Sequence, residues 1–125
     1  RPLIIGGKSM GGRIASMVAD EMSVAGLVCL GFPFHPPGKP EKLRTEHLAK
    51  LQTPCLICQG ERDTFGKQEE VSRYVLSDAI NLVWIEDGDH SFKPRKRSGR
   101  NETQNIELVI EAISNFASAN CRPEI

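Results

Sequence analysis

The 125-residue chain lacks long hydrophobic runs, internal repeats and an excess of charge of either sign. Its longest apolar stretches have the length of a strand and fall short of the roughly 20 residues that a membrane-spanning helix needs. Sixteen basic and sixteen acidic residues give a net charge of zero, which removes the electrostatic argument for a nucleic-acid or membrane partner. The composition therefore predicts a soluble domain, or part of one, with neither kind of partner.

Cysteine is sparse, and three of the four cysteines, Cys29, Cys55 and Cys58, fall within apolar strand-like runs. Cysteine in such runs usually behaves as a small buried hydrophobe, and this usage predicts a reduced, cytoplasmic setting. Cys55 and Cys58 form a C-x-x-C pair, but residues three apart on a strand point to opposite faces. We therefore expect no metal, no redox role and no cofactor.

Four short apolar runs alternate with segments of helical periodicity. The runs cover residues 2–6, 25–31, 54–59 and 81–86. Strands that alternate with helices are typical of a parallel sheet, so we predict an α/β fold with three layers, α/β/α.

Apolar residues recur at helical spacing after the first run and again near the C-terminus, and both stripes are expected to pack on the sheet. Residues 41–51 predict a further short helix. The first stripe consists of Met10, Ile14, Met17, Val18 and Met22, and the last of Ile106, Val109, Ile110, Ile113, Phe116 and Ala117.

Residues 7–11, Gly-Lys-Ser-Met-Gly, follow the apolar residues 3–5 and open the first predicted helix. This is the context of a G-x-S-x-G nucleophile elbow, in which a strained strand-to-helix turn exposes the serine hydroxyl. Ser9 is therefore the candidate nucleophile. The same residues mimic the end of a P-loop, but Pro2 stands where the first glycine of that motif belongs.

Four glycines flank Ser9 on its two sides. Side chains two residues before and after a serine in such a turn would collide, and Gly7 and Gly11 are expected to prevent this. Gly6 and Gly12 are expected to let neighbouring backbone approach closely.

Asp63 follows the third apolar run, and His90 follows the fourth. The order Ser, Asp, His is that of α/β-hydrolases and differs from the chymotrypsin-like and subtilisin-like orders. In this chemistry His90 takes the proton of Ser9, and Asp63 holds the imidazole in the productive tautomer. The Met10 N–H, at a helix N-terminus, is an expected donor to the oxyanion.

Other roles for these residues stay open from the sequence. Asp63 could instead cap a helix or pair with Arg62. Glu61 is then an alternative candidate for the carboxylate that holds the imidazole. Asp87 and Asp89 lie close to the histidine in sequence and are alternative structural partners for it.

Two loops add candidates for substrate binding. Phe32, Phe34 and His35 stand in a proline-rich loop after the second strand, where they either line a substrate pocket or pin a rigid loop. Residues 93–100 carry five basic side chains that either steer an anionic substrate or form ordinary solvated surface.

Five segments carry a resemblance to a known family: GGKSMGGR at 6–13, FPFHPP at 32–37, KLR at 42–44, the aspartate-bearing 60–66 and DHS at 89–91. Together they resemble the small dienelactone-hydrolase-like α/β-hydrolases, of the branch that contains bacterial predicted hydrolases and testis-expressed protein 30. The resemblance implies a sheet of about eight strands, of which this chain supplies the fifth to the eighth. It also implies that Ser9, Asp63 and His90 occupy the triad positions.

Residues 1–125 are accordingly expected to be the C-terminal part of one α/β-hydrolase domain whose natural N-terminus lies upstream. The expected function is that of a serine hydrolase acting on a small ester, thioester or related acyl substrate through an acyl-enzyme. The alternative is a catalytically idle scaffold that binds protein partners. The strand at residues 2–6 would expose an open edge, which predicts that this piece alone self-associates or misfolds. The second oxyanion donor is expected from an earlier strand-helix loop that is not in this sequence, which predicts little activity for this piece alone.

Overall fold

Four parallel strands form the sheet in the computed structural model, which describes residues 2–121. The strands are β1 (Ile4–Lys8), β2 (Gly26–Leu30), β3 (Cys55–Gly60) and β4 (Ile80–Ile85), and they lie in that order. Each strand overlaps one of the predicted apolar runs. The predicted parallel sheet is therefore confirmed, and the carboxyl ends of all four strands meet at one edge.

Helices cover both faces of this sheet. Helix α1 (Met10–Met22) follows β1, a single turn α2 (Gln68–Val71) follows β3, and α3 (Glu102–Asn120) follows β4. Leu27 of β2 belongs to the core cluster beneath α1, whereas its neighbour Val28 belongs to the cluster beneath α3. This alternation confirms the three-layer α/β/α arrangement, because successive strand residues point to opposite faces.

The helix predicted for residues 41–51 does not form. A 3-10 turn at Leu48–Lys50 is the only helical structure in that segment. The Arg44 N–H donates to the Phe34 carbonyl at 2.9 Å rather than to a carbonyl four residues earlier. Contact with the proline-rich loop therefore replaces the local bonding that a helix needs.

The apolar stripe of α1 points away from the sheet, contrary to prediction. Small residues, Gly12, Ser16 and Ala19, form the buried face instead, and a Cβ on Gly12 would lie 3.2 Å from the Cβ of Cys29. So close an approach leaves no room for long side chains between helix and strand. Four large side chains are consequently 49 to 57% exposed: Met10, Ile14, Met17 and Met22.

The apolar stripe of α3 packs on the sheet in part. Val109 is buried, and Phe116 contacts the core cluster on its face of the sheet. Ile106 and Ile110 lie on the exposed side of the helix. The helix begins with a capping box in which Asn101 accepts from the Gln104 N–H at 2.8 Å.

Strand β1 forms one edge of the described sheet. Its partner is β2, and the other side of β1 has no neighbouring strand within residues 2–121. An edge of this kind offers unpaired backbone groups to another strand. Self-association through this edge stays a prediction.

Gln59 is the largest fully buried polar side chain among the described residues, and it joins two loops at the carboxyl edge. It lies fully buried in β3. Its side-chain oxygen accepts from the Phe32 N–H at 2.7 Å, and its amide nitrogen donates to the carbonyls of Phe32 and Gly66 at 3.1 and 3.2 Å. The amide thus fixes the loop after β2 against the loop after β3.

We expect Gln59→Leu to lower the free energy of unfolding by about 2–5 kcal/mol, because it leaves three buried backbone groups without a partner. Gln52→Leu is the matched control, since the Gln52 side chain is exposed and should change stability by less than about 0.5 kcal/mol. Denaturant unfolding of the full-length protein measures both, and equal effects would contradict the role of Gln59.

Candidate active site

Ser9, Asp63 and His90 come together at the carboxyl edge of the sheet. The His90 Nε2 lies 2.9 Å from the Ser9 Oγ, and the His90 Nδ1 lies 2.8 Å from the Asp63 Oδ2. Ser9 directly follows β1, whereas the other two stand in the loops after β3 and β4. A continuous hydrogen-bonded chain therefore links a carboxylate, an imidazole and a hydroxyl.

Ser9 occupies the turn between β1 and α1 with φ 52° and ψ −120°. A positive φ is costly for a residue other than glycine, so surrounding contacts must hold this conformation. The Ser9 N–H donates to the Leu30 carbonyl at 2.8 Å, which anchors the turn to the end of β2. Met10 is the first residue of α1, where backbone N–H groups have no partner within the helix.

The glycines around Ser9 have different roles. A Cβ on Gly7 would lie 2.5 Å from the carbonyl carbon of Gly11, and one on Gly12 would lie 2.7 Å from the Gly7 oxygen. A Cβ on Gly6 would lie 2.3 Å from the Val28 oxygen. A Cβ added at Gly11 would meet no atom of the described residues within 4 Å beyond its chain neighbours and the nearby backbone of its own helix, so the predicted collision at that position is wrong.

Two further glycines, which sequence reasoning missed, admit the loop that carries His90. Gly31 has φ +68°, and a Cβ there would lie 2.9 Å from the His90 carbonyl oxygen. A Cβ on Gly60 would lie 2.2 Å from the Asp89 oxygen. Both glycines follow or end a strand, at the edge where loops converge, and that placement is the signal that could have identified them.

Asp63 is fully buried and bonded at both carboxylate oxygens. Its Oδ1 accepts from the Phe65 N–H at 2.9 Å, while its Oδ2 faces His90. The Phe65 ring lies against the imidazole, with ring centroids 4.3 Å apart and planes inclined at 32°. Phe65 was not among the predicted site residues, and its contact restricts the orientation of the imidazole.

The competing carboxylates have other partners. Glu61 accepts from the Asp87 N–H at 2.8 Å, and Asp89 accepts from the backbone N–H groups of Ser91 and Lys93 at 2.8 and 3.0 Å. The alternative partners that the sequence left open are thus engaged elsewhere in the same loops.

Asp87 closes the base of the His90 loop. Its carboxylate accepts from the Arg95 side chain and, at 2.8 Å, from the Arg95 N–H, and the Arg62 Nε lies 3.4 Å from it. The hydrogen bonds from Arg95 hold the pKa of Asp87 well below its usual value, and the charge of Arg62 acts in the same direction. Arg95, one of the five basic residues of segment 93–100, therefore has a structural role.

Phe32, Phe34 and His35 lie in the core. Both phenylalanines are fully buried, with ring centroids 4.8 Å apart, and His35 bonds to the Glu70 carboxylate at 3.1 Å. Burial raises the pKa of Glu70, but hydrogen bonds from Lys67 and His35 outweigh it and hold that pKa below its usual value. These contacts favour the structural role that the sequence left open, in which the three residues pin the loop.

The C-x-x-C cysteines occupy opposite faces of β3, as the strand geometry predicts. Cys55 belongs to the core beneath α1 and Cys58 to the core beneath α3. Burial raises the pKa of Cys58 to about 12, and a hydrogen bond with Cys29 together with burial raises that of Cys55. Both thiols are therefore protonated at neutral pH.

A cavity of about 610 Å³ lies away from the three residues, between α3 and the strands β3 and β4. Trp84, Leu108 and Phe116 are among its lining residues, whereas Ser9, Asp63 and His90 are not. Its size alone does not connect it to the Ser9 site.

Residues 1–118 match the sequence profile of a family described as Alpha/beta hydrolase domain. Because this match covers most of the sequence, the chain belongs to that family.

Three solved structures are similar to this fold. An alpha-beta serine hydrolase homologue from Coxiella burnetii has a TM-score of 0.64 and 26% identity over 91% of this chain. The esterase domain of a Rhodothermus marinus protein has a TM-score of 0.67 and 14% identity over 93%. A predicted CIB-like hydrolase from Thermoplasma acidophilum has a TM-score of 0.50 and 19% identity over 71%.

The chain spans 49%, 60% and 42% of the lengths of these three proteins, respectively. The similarity therefore concerns part of each relative. Among the helices of residues 2–121, none is both long and apolar enough to cross a lipid bilayer.

We expect Gly7→Ala to lower the free energy of unfolding by about 1–3 kcal/mol, because the added methyl group meets backbone atoms that cannot move independently. Gly11→Ala is the matched control in open space and should leave stability unchanged or raise it by up to about 1 kcal/mol. Urea unfolding of the two variants measures the difference. Equal destabilisation would contradict the assignment of the collision to Gly7.

We expect Asp87→Asn to remove an acid-sensitive part of the stability. Because the pKa of Asp87 in the folded protein lies below its usual 3.8, its stabilising effect is complete above that value and is lost as the pH falls further. The difference in free energy of unfolding between native protein and variant should therefore stay constant between about pH 7 and 5 and shrink below about pH 4.

Denaturant unfolding across that pH range tests this expectation. Asp78→Asn controls for the loss of an exposed carboxylate, because the Asp78 side chain is exposed and takes part in none of the ion pairs described above. A difference for Asp87→Asn that persists unchanged at the lowest pH would contradict the role of the Asp87–Arg95 pair.

Proposed function

We propose that the protein is a serine hydrolase that cleaves a small ester, thioester or related acyl bond through Ser9, His90 and Asp63. One observation carries the proposal: the hydroxyl, imidazole and buried carboxylate are joined by contacts of 2.9 and 2.8 Å at a strained strand-to-helix turn. Packing alone requires neither the strain nor the three residue types in this order.

His90 acts as the general base and then as the general acid. Its Nε2 accepts the proton of the Ser9 hydroxyl while the Oγ forms a bond to the acyl carbon. The imidazolium then gives this proton to the leaving group, whose bond to the acyl carbon breaks. A water molecule deprotonated by His90 attacks the resulting acyl-enzyme and releases the acid, with the proton returned to Ser9.

Asp63 positions and stabilises the imidazole. Its Oδ2 accepts the Nδ1–H of His90, which leaves Nε2 free to take the proton from Ser9. The bond from the Phe65 N–H to Oδ1 and the complete burial of the carboxylate fix its orientation. The negative charge beside the ring favours the imidazolium that forms during attack.

The oxyanion of the tetrahedral intermediate needs backbone donors. The Met10 N–H, directly after the nucleophile and at the start of α1, is the first donor that we assign. In α/β-hydrolases the second donor comes from the loop after the third strand of the sheet. We propose that residues 1–125 form the C-terminal part of such a domain, with β1 to β4 as its fifth to eighth strands.

The resemblance of the Ser9, Asp63 and His90 segments to dienelactone-hydrolase-like enzymes supports this branch as the origin of the chain. Hydrolysis through these residues uses no metal or organic cofactor. The reduced cysteines that the sequence predicts support a cytoplasmic location.

A second candidate function is that of a catalytically idle scaffold. The observation that favours it is the apolar surface of α1, where Ile14 and Met17 are more than half exposed. Exposed apolar surface of this kind is typical of interaction sites. A second copy joined through the β1 edge, or another protein, would cover it.

Labelling with a fluorophosphonate probe separates the two functions. We expect the full-length native protein to be labelled stoichiometrically, and Ser9→Ala and His90→Ala to be labelled at least about 1,000-fold more slowly, because the probe needs an activated serine. Ser72→Ala, which removes an exposed serine hydroxyl far along the chain, should be labelled like the native protein.

Circular dichroism establishes that each variant is folded. Folded native protein that resists the probe would contradict the hydrolase proposal and favour the scaffold.

A further inference from the structure

A second cavity, of about 300 Å³, lies between α1 and the loop that follows β2. We call it the Arg13 cavity. Its lining residues are Arg13, Leu43, Arg44, Glu46 and His47.

Arg13 carries a buried donor without a partner. Its Nε is inaccessible to solvent and makes no hydrogen bond in the structure. Buried side-chain donors are nearly always paired in folded proteins, so this unpaired Nε is an exception that an acceptor reaching the guanidinium would explain. A guanidinium donates in a planar fork that matches a carboxylate or phosphate.

The charges of the Arg13 cavity favour an anion. Within the described part of the chain, the ion pairs join other side chains, so neither Arg13 nor Arg44 has a carboxylate at ion-pair distance. Burial and the charge of Arg13 lower the pKa of His47 from 6.5, so its imidazole is neutral at pH 7. Two guanidinium groups therefore face one carboxylate, that of Glu46, and an excess positive charge remains.

Position along α1 connects this cavity to Ser9. The Arg13 N–H donates to the Ser9 carbonyl at 3.1 Å, which places Arg13 one helical turn after Ser9. Ser9 itself does not line the cavity, and its backbone is not helical. A helical turn rises about 5.4 Å, so the backbone of the cavity residue Arg13 lies next to the Ser9 turn.

The wall of the cavity is held in place further along the same side of α1. The Ser16 Oγ lies 2.7 Å from the His47 Nε2, and the Asp20 carboxylate accepts from Thr53 Oγ1 at 2.6 Å. Burial raises the pKa of Asp20, but hydrogen bonds from Thr53 and Gln52 outweigh it and keep that pKa below its usual value. Asp20 is therefore ionised at neutral pH, and the cavity is formed before any ligand binds.

We propose that the Arg13 cavity binds the anionic group, a carboxylate or a phosphate, of an acyl substrate whose reacting carbonyl lies at Ser9. The identification of the ligand as substrate rests on the proposed hydrolase function. Binding of the anion itself does not, and the two are measured separately.

Binding is measured by calorimetric titration of full-length Ser9→Ala protein with succinate and with inorganic phosphate. We expect one of these anions to bind, and Arg13→Gln or Arg44→Gln to weaken it about 10- to 100-fold, because each removes a charge-assisted hydrogen bond. The anion that binds more tightly identifies the group. Arg73→Gln is the matched control, because Arg73 is exposed and remote in sequence from the cavity, and it should bind like the parent.

If Arg13→Gln does not fold, Arg44→Gln provides the same test. Absence of binding by both anions, or equal binding by Arg13→Gln and Arg73→Gln, would overturn the proposal.

The link to catalysis is measured with two nitrophenyl esters of equal acyl length, one carrying the anion that binds and one neutral. Arg13→Gln should lower kcat/KM for the anionic ester about 10- to 100-fold and leave the neutral ester within about twofold. Equal loss for both esters would show a structural role and overturn the assignment to substrate. Anion binding that depends on Arg13, in a protein that hydrolyses neither ester, would retain the anion site and reject the hydrolase.

Discussion

Close approach of backbone at the carboxyl edge of the sheet is the constraint on which the remaining structure depends. The loop that carries His90 passes within contact of Gly31 and Gly60, at distances that a Cβ at either position would not permit. Gly7 gives the same freedom to the turn before α1. Only because these loops pack so tightly do the imidazole, the Ser9 hydroxyl and the Asp63 carboxylate meet at hydrogen-bond distance.

Helix α1 contacts the sheet with one face and the segment between β2 and β3 with another. Small residues bring the helix close to the sheet, while Arg13, Ser16 and Asp20 contact the segment between β2 and β3. These residues are spaced at helical intervals: Arg13 lines the cavity, Ser16 contacts His47, and Asp20 accepts from Thr53. The turn before α1 therefore carries the candidate nucleophile, while the helix itself carries Arg13 of the cavity and the contacts that fix the cavity wall.

Much of the fold could be predicted from local patterns, and the errors share one cause. Hydrophobic runs located the strands, and the order of Ser9, Asp63 and His90 located their side chains at strand ends. The apolar stripe of α1 was predicted to face the sheet, because periodicity gives the spacing of a stripe but not the element that covers it. The helix predicted for residues 41–51 does not form, because the Arg44 N–H donates to the Phe34 carbonyl, which lies outside that segment.

The sequence by itself determined the parallel α/β class, the strained turn at Ser9 and the candidate residues, because each depends on neighbours within a few positions or on one fold rule. Tertiary structure alone decided that His90 pairs with Asp63 rather than with Asp87 or Asp89, and that Arg13 faces a cavity. Those outcomes depend on contacts between residues far apart in the chain, such as the 81 positions between Ser9 and His90. Local periodicity and composition carry no information about which distant groups meet.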